Sequence, residues 1–383
     1  MSLVAARRTR RAGALGTRAA LLGRPVLAVL IAVSVTAAVL GGLLRAGAYS
    51  QASPLAVFGH AAVAHAALML SGFLGTAIAT ERAMAIKLRW AFVAPLASGS
   101  ACLFILGGHA EAAGWLGVAA ALVFVAVNCV LVARQRASHT ALLLVGAVAW
   151  LVGNLLFAAN RNAASALPWW FTFVVLTIAA ERLEMTRLMR RHPWALASLM
   201  GVLFTLLSGA ALSFAAPAEG GILFGLSLSA LGVWLGLFDI ARRTVFARGL
   251  SRYMALCLLA GYGWLGAAGL AWCAMALGWP ARDMAFHALG LGFIANMVMG
   301  HAPVILPAVA RIKLRFGPWF YVPLAWLHAS LLLRLVGGIF ELPARLLGAG
   351  LNAAALVVFV ATLAGSAIAW RFQHGRSPSP ANA

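Results

Sequence analysis

The sequence predicts an all-α membrane protein with about twelve transmembrane helices and with both termini on the cytoplasmic side. Of its 383 residues, 63% are hydrophobic and only 10% are charged, which is more apolar surface than the core of a soluble domain buries. The excess must face lipid. A spanning helix needs about 20 apolar residues, because an α-helix rises about 1.5 Å per residue through about 30 Å of hydrocarbon.

Twelve apolar segments of suitable length follow one another along the chain. They are residues 25–44, 56–80, 90–107, 113–132, 140–157, 168–183, 194–216, 221–240, 253–277, 284–309, 319–336 and 346–370. The first is longer than the core of a typical signal peptide, so we interpret it as a retained span that follows a basic cytoplasmic segment, residues 1–24. Residues 371–383 contain Ser-Pro-Ser-Pro and predict a disordered cytoplasmic tail. One transmembrane domain, residues 25–370, lies between them.

The loops between these segments alternate between basic and non-basic, as the positive-inside rule requires. The N-terminus, the C-terminal tail and every second loop hold 24 of the 29 basic residues, leaving Arg45, Arg161, Arg282, Arg334 and Arg345 on the opposite side. This alternation predicts a multi-pass protein of the inner (plasma) membrane type, with the lipid bilayer as its partner. The net charge of +21 does not indicate a nucleic-acid partner, because no polar domain is present to carry such a site.

Tryptophans at the ends of the predicted spans form an aromatic belt, which is typical of membrane interfaces. They are Trp90, Trp115, Trp169, Trp170, Trp194, Trp279, Trp319 and Trp370. We expect these side chains to anchor the helix ends at the level of the lipid headgroups.

Short matches between spans suggest an internal repeat. Residues 78–84 read IATERAM and residues 178–185 read IAAERLEM, while residues 86–89 and 312–315 read IKLR. The second, sixth and tenth spans are therefore candidates for equivalent positions in three pseudo-symmetric units of four helices. Coincidence at similar membrane borders is the alternative interpretation.

Five of the nine histidines lie inside predicted spans, and they are the main chemical signal. They are His60, His65, His287, His301 and His328. An intramembrane imidazole costs free energy and suggests a function, such as an axial ligand to haem iron or a copper ligand, although a hydrogen-bonded structural role is the alternative for each.

Helical geometry groups the histidines by depth. His60 and His65 are about 140° apart around their helix, so they do not both point at one site. His287 and His301 are about 21 Å apart along theirs. His60, His65 and His287 are therefore expected in the outer third of the bilayer, where they would bracket one haem iron. His301 and His328 lie deeper and predict a second metal site or a hydrogen-bonded pair.

Arg334 lies near the outer end of the eleventh predicted span, where a charge is unusual. We consider it as a partner for a haem propionate. Snorkelling to the interface, or pairing with Glu341, is the alternative.

The run from His287-Ala-Leu-Gly-Leu-Gly through Met297, Met299 and Gly300-His301, with His65 followed by Met69 and Gly72-Phe73, resembles the NnrS family of bacterial membrane proteins. The resemblance implies a twelve-helix protein that contains haem and copper and acts in nitric oxide metabolism or nitrosative stress, with nitric oxide or another small diatomic as its ligand. The layout is also similar to the catalytic subunit of haem-copper oxidases, where histidines of the second and tenth helices hold a haem. The matching positions are His60 or His65 and His287.

Departures from these families limit the implied chemistry. NnrS proteins carry a His-x-His-Glu-Met type run on the second helix, whereas no acid lies near His65, and the sixth and seventh spans hold no histidine, His192 lying in the loop between them. Four-electron oxidase activity is therefore not expected, and no electron donor is indicated. The expected metal ligands are His65, His287, His301 and His328, with His60 and Arg334 in the haem pocket. A twelve-span secondary transporter, with His301 and His328 lining its path, is the competing hypothesis, and a structural membrane subunit is the third.

Overall fold

The computed structural model describes residues 3–47, 56–160, 162–186, 192–309 and 311–374, and within these ranges every regular element is a helix. Twelve helices of the described ranges are long and apolar enough to cross a membrane, when the bent second helix is counted as one. They are α1 (Leu3–Ala46), α2 (Ala56–Val63 with His65–Ile86), α3 (Arg89–Leu106), α4 (Ala110–Arg134), α5 (Ser138–Asn160), α6 (Ala163–Met185), α7 (Ala195–Ala215), α8 (Pro217–Phe238), α9 (Leu250–Ala276), α10 (Arg282–Ala308), α11 (Pro318–Phe340) and α12 (Leu342–His374). Each predicted span has its helix, so the predicted fold class is confirmed.

The ends of the chain differ in detail from the sequence prediction. α1 begins at Leu3, so the described part of the basic segment 1–24 continues into the first span. α12 extends to His374, beyond the predicted boundary at residue 370. The remaining tail, residues 375–383, lies outside the described residues, as do Arg161 and the basic run 187–191. The threefold grouping of helices stays a prediction.

Turns between spans use residues in the left-handed region. α2 ends at Ile86 and is followed by Lys87 with φ 59°, and the turn after α9 contains Gly278 with φ 89°. Glycine adopts this conformation without the steric cost that a Cβ adds, which suits it to the end of a helix.

α6 is the most deeply buried of the spans. Trp170 is fully buried, and Trp150 of α5 stacks on Phe173 with ring centroids 5.2 Å apart. The prediction that Trp170 anchors a membrane interface is therefore wrong. A tryptophan near a span end is held at the interface only if that helix faces lipid, and neighbouring helices cover α6. Trp90, Trp115, Trp194, Trp279 and Trp319 are exposed, as an interfacial belt requires.

The chain divides into two compact units. Unit 1 comprises Met1–Gly42, Ser53–Val127 and Asn154–Ala163, and unit 2 comprises Leu43–Ala52, Asn128–Gly153 and Ala164–Ala383. In unit 1, small residues bring helices together: a Cβ on Gly99 would lie 2.8 Å from Leu30. In unit 2, α8 and α9 touch through their backbones, because a Cβ on Gly225 would lie 2.5 Å from the carbonyl oxygen of Gly269. Small residues that permit such contact are typical of helix packing in membranes.

Three stretches of the described chain are π-helical: Leu68–Gly75 in α2, Ala288–Ala295 in α10 and Leu333–Gly337 in α11. A π-helix displaces backbone hydrogen bonds, and side chains take part in the altered pattern. The hydroxyl of Ser98 donates to the carbonyl oxygen of Ser71 over 2.9 Å, and the amide of Asn296 donates to that of Gly292. Such segments are rare and occur frequently at functional sites.

Candidate functional site

Each of the three π-helical segments contains or closely follows a predicted cofactor residue. The segment in α2 begins three residues after His65, the segment in α10 begins directly after His287, and the segment in α11 contains Arg334. The local backbone of these spans is therefore irregular where the sequence places its least lipid-compatible side chains.

His65 is held by α1 within unit 1. Its Nδ1 lies 2.6 Å from the carbonyl oxygen of Ala38. A carbonyl oxygen only accepts, so Nδ1 carries the proton and Nε2 is the unprotonated nitrogen of the neutral ring. Gly42 provides the space, because a Cβ there would lie 2.7 Å from the ring carbon Cε1. Orientation of an imidazole by its second nitrogen is the usual arrangement of metal-ligating histidines.

His60 lies on the other part of α2 and bonds to a different neighbour. α2 bends by 72° between Val63 and His65. The His60 Nδ1 lies 3.0 Å from the carbonyl oxygen of Leu106 at the end of α3, and its ring packs against Gly108. The structure thus directs the two histidines of α2 to different neighbours.

His287 belongs to a charged triad at the start of α10. Its Nδ1 lies 3.0 Å from the backbone carbonyl oxygen of Asp283, one helical turn earlier, and 3.0 Å from Oδ1 of the same residue. Arg334 of α11 binds the same carboxylate with two hydrogen bonds, from Nε to Oδ2 over 3.1 Å and from Nη2 to Oδ1 over 2.8 Å. The bidentate pairing neutralises an arginine that is only 9% exposed.

The ring of His287 is positioned by both partners. Arg334 Nη2 lies 3.3 Å from Nδ1 and 3.1 Å from Nε2 of the ring. The guanidinium is therefore within hydrogen-bonding distance of both ring nitrogens, and the ring nitrogen without a proton accepts from it. Because Nδ1 faces two acceptor oxygens of Asp283, it carries the proton of the neutral ring and Nε2 is the unprotonated nitrogen.

Arg334 therefore has a partner that the sequence analysis missed. It considered a haem propionate, snorkelling and Glu341, whereas the structure pairs the guanidinium with Asp283. The available signal was the spacing of Asp283 and His287, four residues apart and hence on one face of a helix. The role of Arg334 toward a haem propionate stays a prediction.

His301 is hydrogen-bonded through both ring nitrogens. Its Nδ1 lies 2.7 Å from the carbonyl oxygen of Met297, and its Nε2 lies 2.8 Å from Nη2 of Arg182. Nδ1 therefore donates and Nε2 accepts. Arg182, near the end of the predicted span 168–183, is 5% exposed within α6.

His328 has a different partner from His301. The indole Nε1 of Trp264 on α9 donates to its Nδ1 over 2.9 Å. Since an indole only donates, the neutral ring carries its proton on Nε2, which is buried and has no hydrogen-bond partner among the described residues. The structure does not join His301 to His328 as a hydrogen-bonded pair. In both rings these bonds favour the structural role over metal ligation, and the second metal site stays a prediction.

No three His, Cys, Asp or Glu side chains within the described ranges are grouped as a metal site would require. A copper centre with three such ligands is therefore not preformed among them. Haem iron needs only one or two axial imidazoles, so this observation bears on copper alone.

The fold and these residues define a multi-span helical membrane protein with histidines anchored in two of its bent or π-helical spans. The chain belongs to the family described as Domain of unknown function (DUF8744), which matches residues 24–368. No curated protein and no solved structure matches it.

Proposed function

We propose that this chain is an integral membrane haem protein in which His65 and His287 are axial-ligand candidates, acting on nitric oxide as the resemblance to the NnrS family implies. One observation carries the proposal. His287 directly precedes a π-helix, and His65 lies three residues before one. Each of the two histidines has its Nδ1 hydrogen-bonded to an oxygen atom. Iron would bind through the other nitrogen, Nε2. At His287 this nitrogen lies 3.1 Å from Nη2 of Arg334, so iron binding there requires the guanidinium to turn away from the ring.

The donor set suits iron in haem. Asp283 orients the His287 ring through Nδ1, and the carbonyl oxygen of Ala38 orients the His65 ring through its Nδ1. His60, anchored by Leu106, is an alternative ligand in α2. A bound haem would supply an iron coordination site for a small diatomic ligand. The protein's own part is to orient the imidazoles and to balance charge through the pair of Arg334 and Asp283.

The test is an optical spectrum of the full chain, purified in detergent after expression with added haem. We expect a Soret band that His287→Ala removes or shifts and that His65→Ala or His60→Ala alters, depending on which one ligates. His374→Ala is the matched control, because His374 is exposed near the end of α12. A wild-type protein without a Soret band, with normal elution on gel filtration, would refute the proposal.

A twelve-span secondary transporter is the second candidate, with His301 and His328 lining its path. It is favoured by the 72° break in α2 and by the buried Arg182 bonded to His301, since interrupted spans and buried charges are typical of transporters. This function predicts solute uptake into proteoliposomes that His301→Ala abolishes, in protein free of haem. The haem proposal predicts an unchanged Soret band in the same variant.

A further inference from the structure

One end of unit 2 carries a dense set of exposed cations. The short helix Ala241–Thr244 and the turn after it lie between α8 and α9, and residues 311–317, which have no regular secondary structure, lie between α10 and α11. The exposed cations of these two connections, here named the basic face, are Arg242, Arg243, Arg248, Arg311, Lys313 and Arg315. The one acid of the two connections, Asp239, directly follows α8, is 4% exposed and accepts a hydrogen bond from the backbone N–H of Ala241. Among the described residues, none of the six cations is found in an ion pair with an acid.

The two connections lie side by side because aromatic rings join them. Tyr253, at the start of α9, is fully buried and contacts the rings of Phe316, Phe320 and Tyr321 at centroid distances of 5.6, 5.7 and 5.3 Å. The cations on both sides of this cluster therefore share one end of the unit.

Aromatic rings also hold two of the cations at the membrane boundary. Lys313 Nζ lies 4.8 Å from the ring centroid of Trp370, and the Arg315 guanidinium lies 5.6 Å from that of Trp319. Tryptophans concentrate at the headgroup level of a bilayer. A cation–π contact leaves the positive charge uncompensated, so these charges stay available to an anion.

The connections also expose apolar side chains among the cations. Phe246 is 87% exposed and follows Arg243 by three residues, and Ile312 is 38% exposed between Arg311 and Lys313. An apolar side chain flanked by arginines is the pattern of a segment that inserts into the headgroup region while its cations contact lipid phosphates.

We propose that the basic face binds the headgroups of anionic phospholipids in the membrane that the spans cross. Position favours lipid over any soluble anion, because Arg242 follows the end of α8 by four residues and Arg315 precedes α11 by three. The cations are thus at the depth where headgroup phosphates lie. Anionic lipids attract each basic residue near the membrane surface, and these attractions add up over a cluster.

The test is native mass spectrometry of the full chain in detergent, titrated with phosphatidylglycerol and, in parallel, with phosphatidylcholine. We expect preferential retention of phosphatidylglycerol. The triple variant Arg242→Gln, Arg243→Gln, Arg248→Gln should weaken it by roughly 5-fold for each arginine removed. The matched control, Arg45→Gln, Arg282→Gln, Arg345→Gln, removes the same charge from the set predicted on the opposite side and should leave retention unchanged.

A second variant separates insertion from charge. Phe246→Ala should reduce retention of phosphatidylglycerol without changing the net charge, whereas Phe340→Ala, at a side chain 81% exposed, should not. Equal loss of lipid in the two triple variants would overturn the proposal, since it would indicate general charge attraction. Displacement of the lipid by millimolar inorganic phosphate, or by a single-stranded oligonucleotide, would overturn it in favour of a soluble anion or a nucleic acid.

Discussion

Arg182 of α6 donates a hydrogen bond from Nη2 to Nε2 of His301 on α10, across 2.8 Å. The bond joins two spans, and the two bonded residues are 119 residues apart in the chain. It places a charged side chain, 5% exposed, against a neutral ring whose other nitrogen is bound to Met297. A buried guanidinium in a membrane domain costs free energy unless such partners satisfy it.

Replacing this arginine should destabilise unit 2. In Arg182→Ala, the Nε2 of His301 loses its donor, and we expect a loss of about 1–3 kcal/mol in unfolding free energy, because a buried acceptor is left unsatisfied. The change is measured as the shift in thermal unfolding of the detergent-solubilised protein. Arg89→Ala, at the exposed first residue of α3, is the control. Equal melting temperatures for the two variants would show that the bond is not significant.

The pair of Asp283 and Arg334 should be more important for stability. Asp283→Asn leaves a guanidinium that is 9% exposed without its counter-charge, and breaking a buried pair from one side costs about 3–5 kcal/mol. Glu341→Gln is the matched control, because Glu341 is exposed and was the acid that the sequence offered to Arg334. We expect no change in melting temperature for that variant. A larger loss of stability in Glu341→Gln than in Asp283→Asn would indicate that Arg334 pairs with Glu341 instead.

Two glycines of α12 provide a matched steric test. A Cβ on Gly348 would lie 2.6 Å from Cα of Arg334, and backbone at that distance does not move aside easily. We therefore expect Gly348→Ala to cost about 1–3 kcal/mol of stability through overpacking. Gly350 faces open space, so Gly350→Ala should be neutral or should stabilise the helix by up to about 1 kcal/mol. Chemical denaturation of both variants checks the difference in sign.

The indole of Trp264 is expected to determine the tautomer of His328. Trp264→Phe removes the donor to Nδ1 while keeping a ring of similar shape, and it should cost about 1–3 kcal/mol. The nitrogen chemical shifts of His328 should change as well, because the proton is no longer confined to Nε2. Trp279→Phe, at a side chain 69% exposed, controls for the loss of an indole. Unchanged shifts in the first variant would contradict the assigned bond.

The hydropathy of the sequence predicted much of the fold, but it predicted the candidate site only in part. The five histidines and Arg334 are unusual residues for membrane spans, and each of them forms a side-chain hydrogen bond in the structure. The hydrogen-bond partners did not follow from the sequence, because neither Asp283 nor Arg182 was singled out in it. Trp170 was misplaced for a similar reason, since its burial depends on the helices that cover α6.

The sequence by itself determined the number of spans and their order. The thickness of the hydrocarbon layer sets a minimum length for a spanning apolar helix, and segments of that length are recognisable in the sequence. Only the tertiary structure decided which nitrogen of each histidine is engaged, and by which partner. Those contacts depend on how each helix is rotated and bent against its neighbours. The bend in α2 and the three π-helical segments alter that rotation without a clear signature in the local sequence.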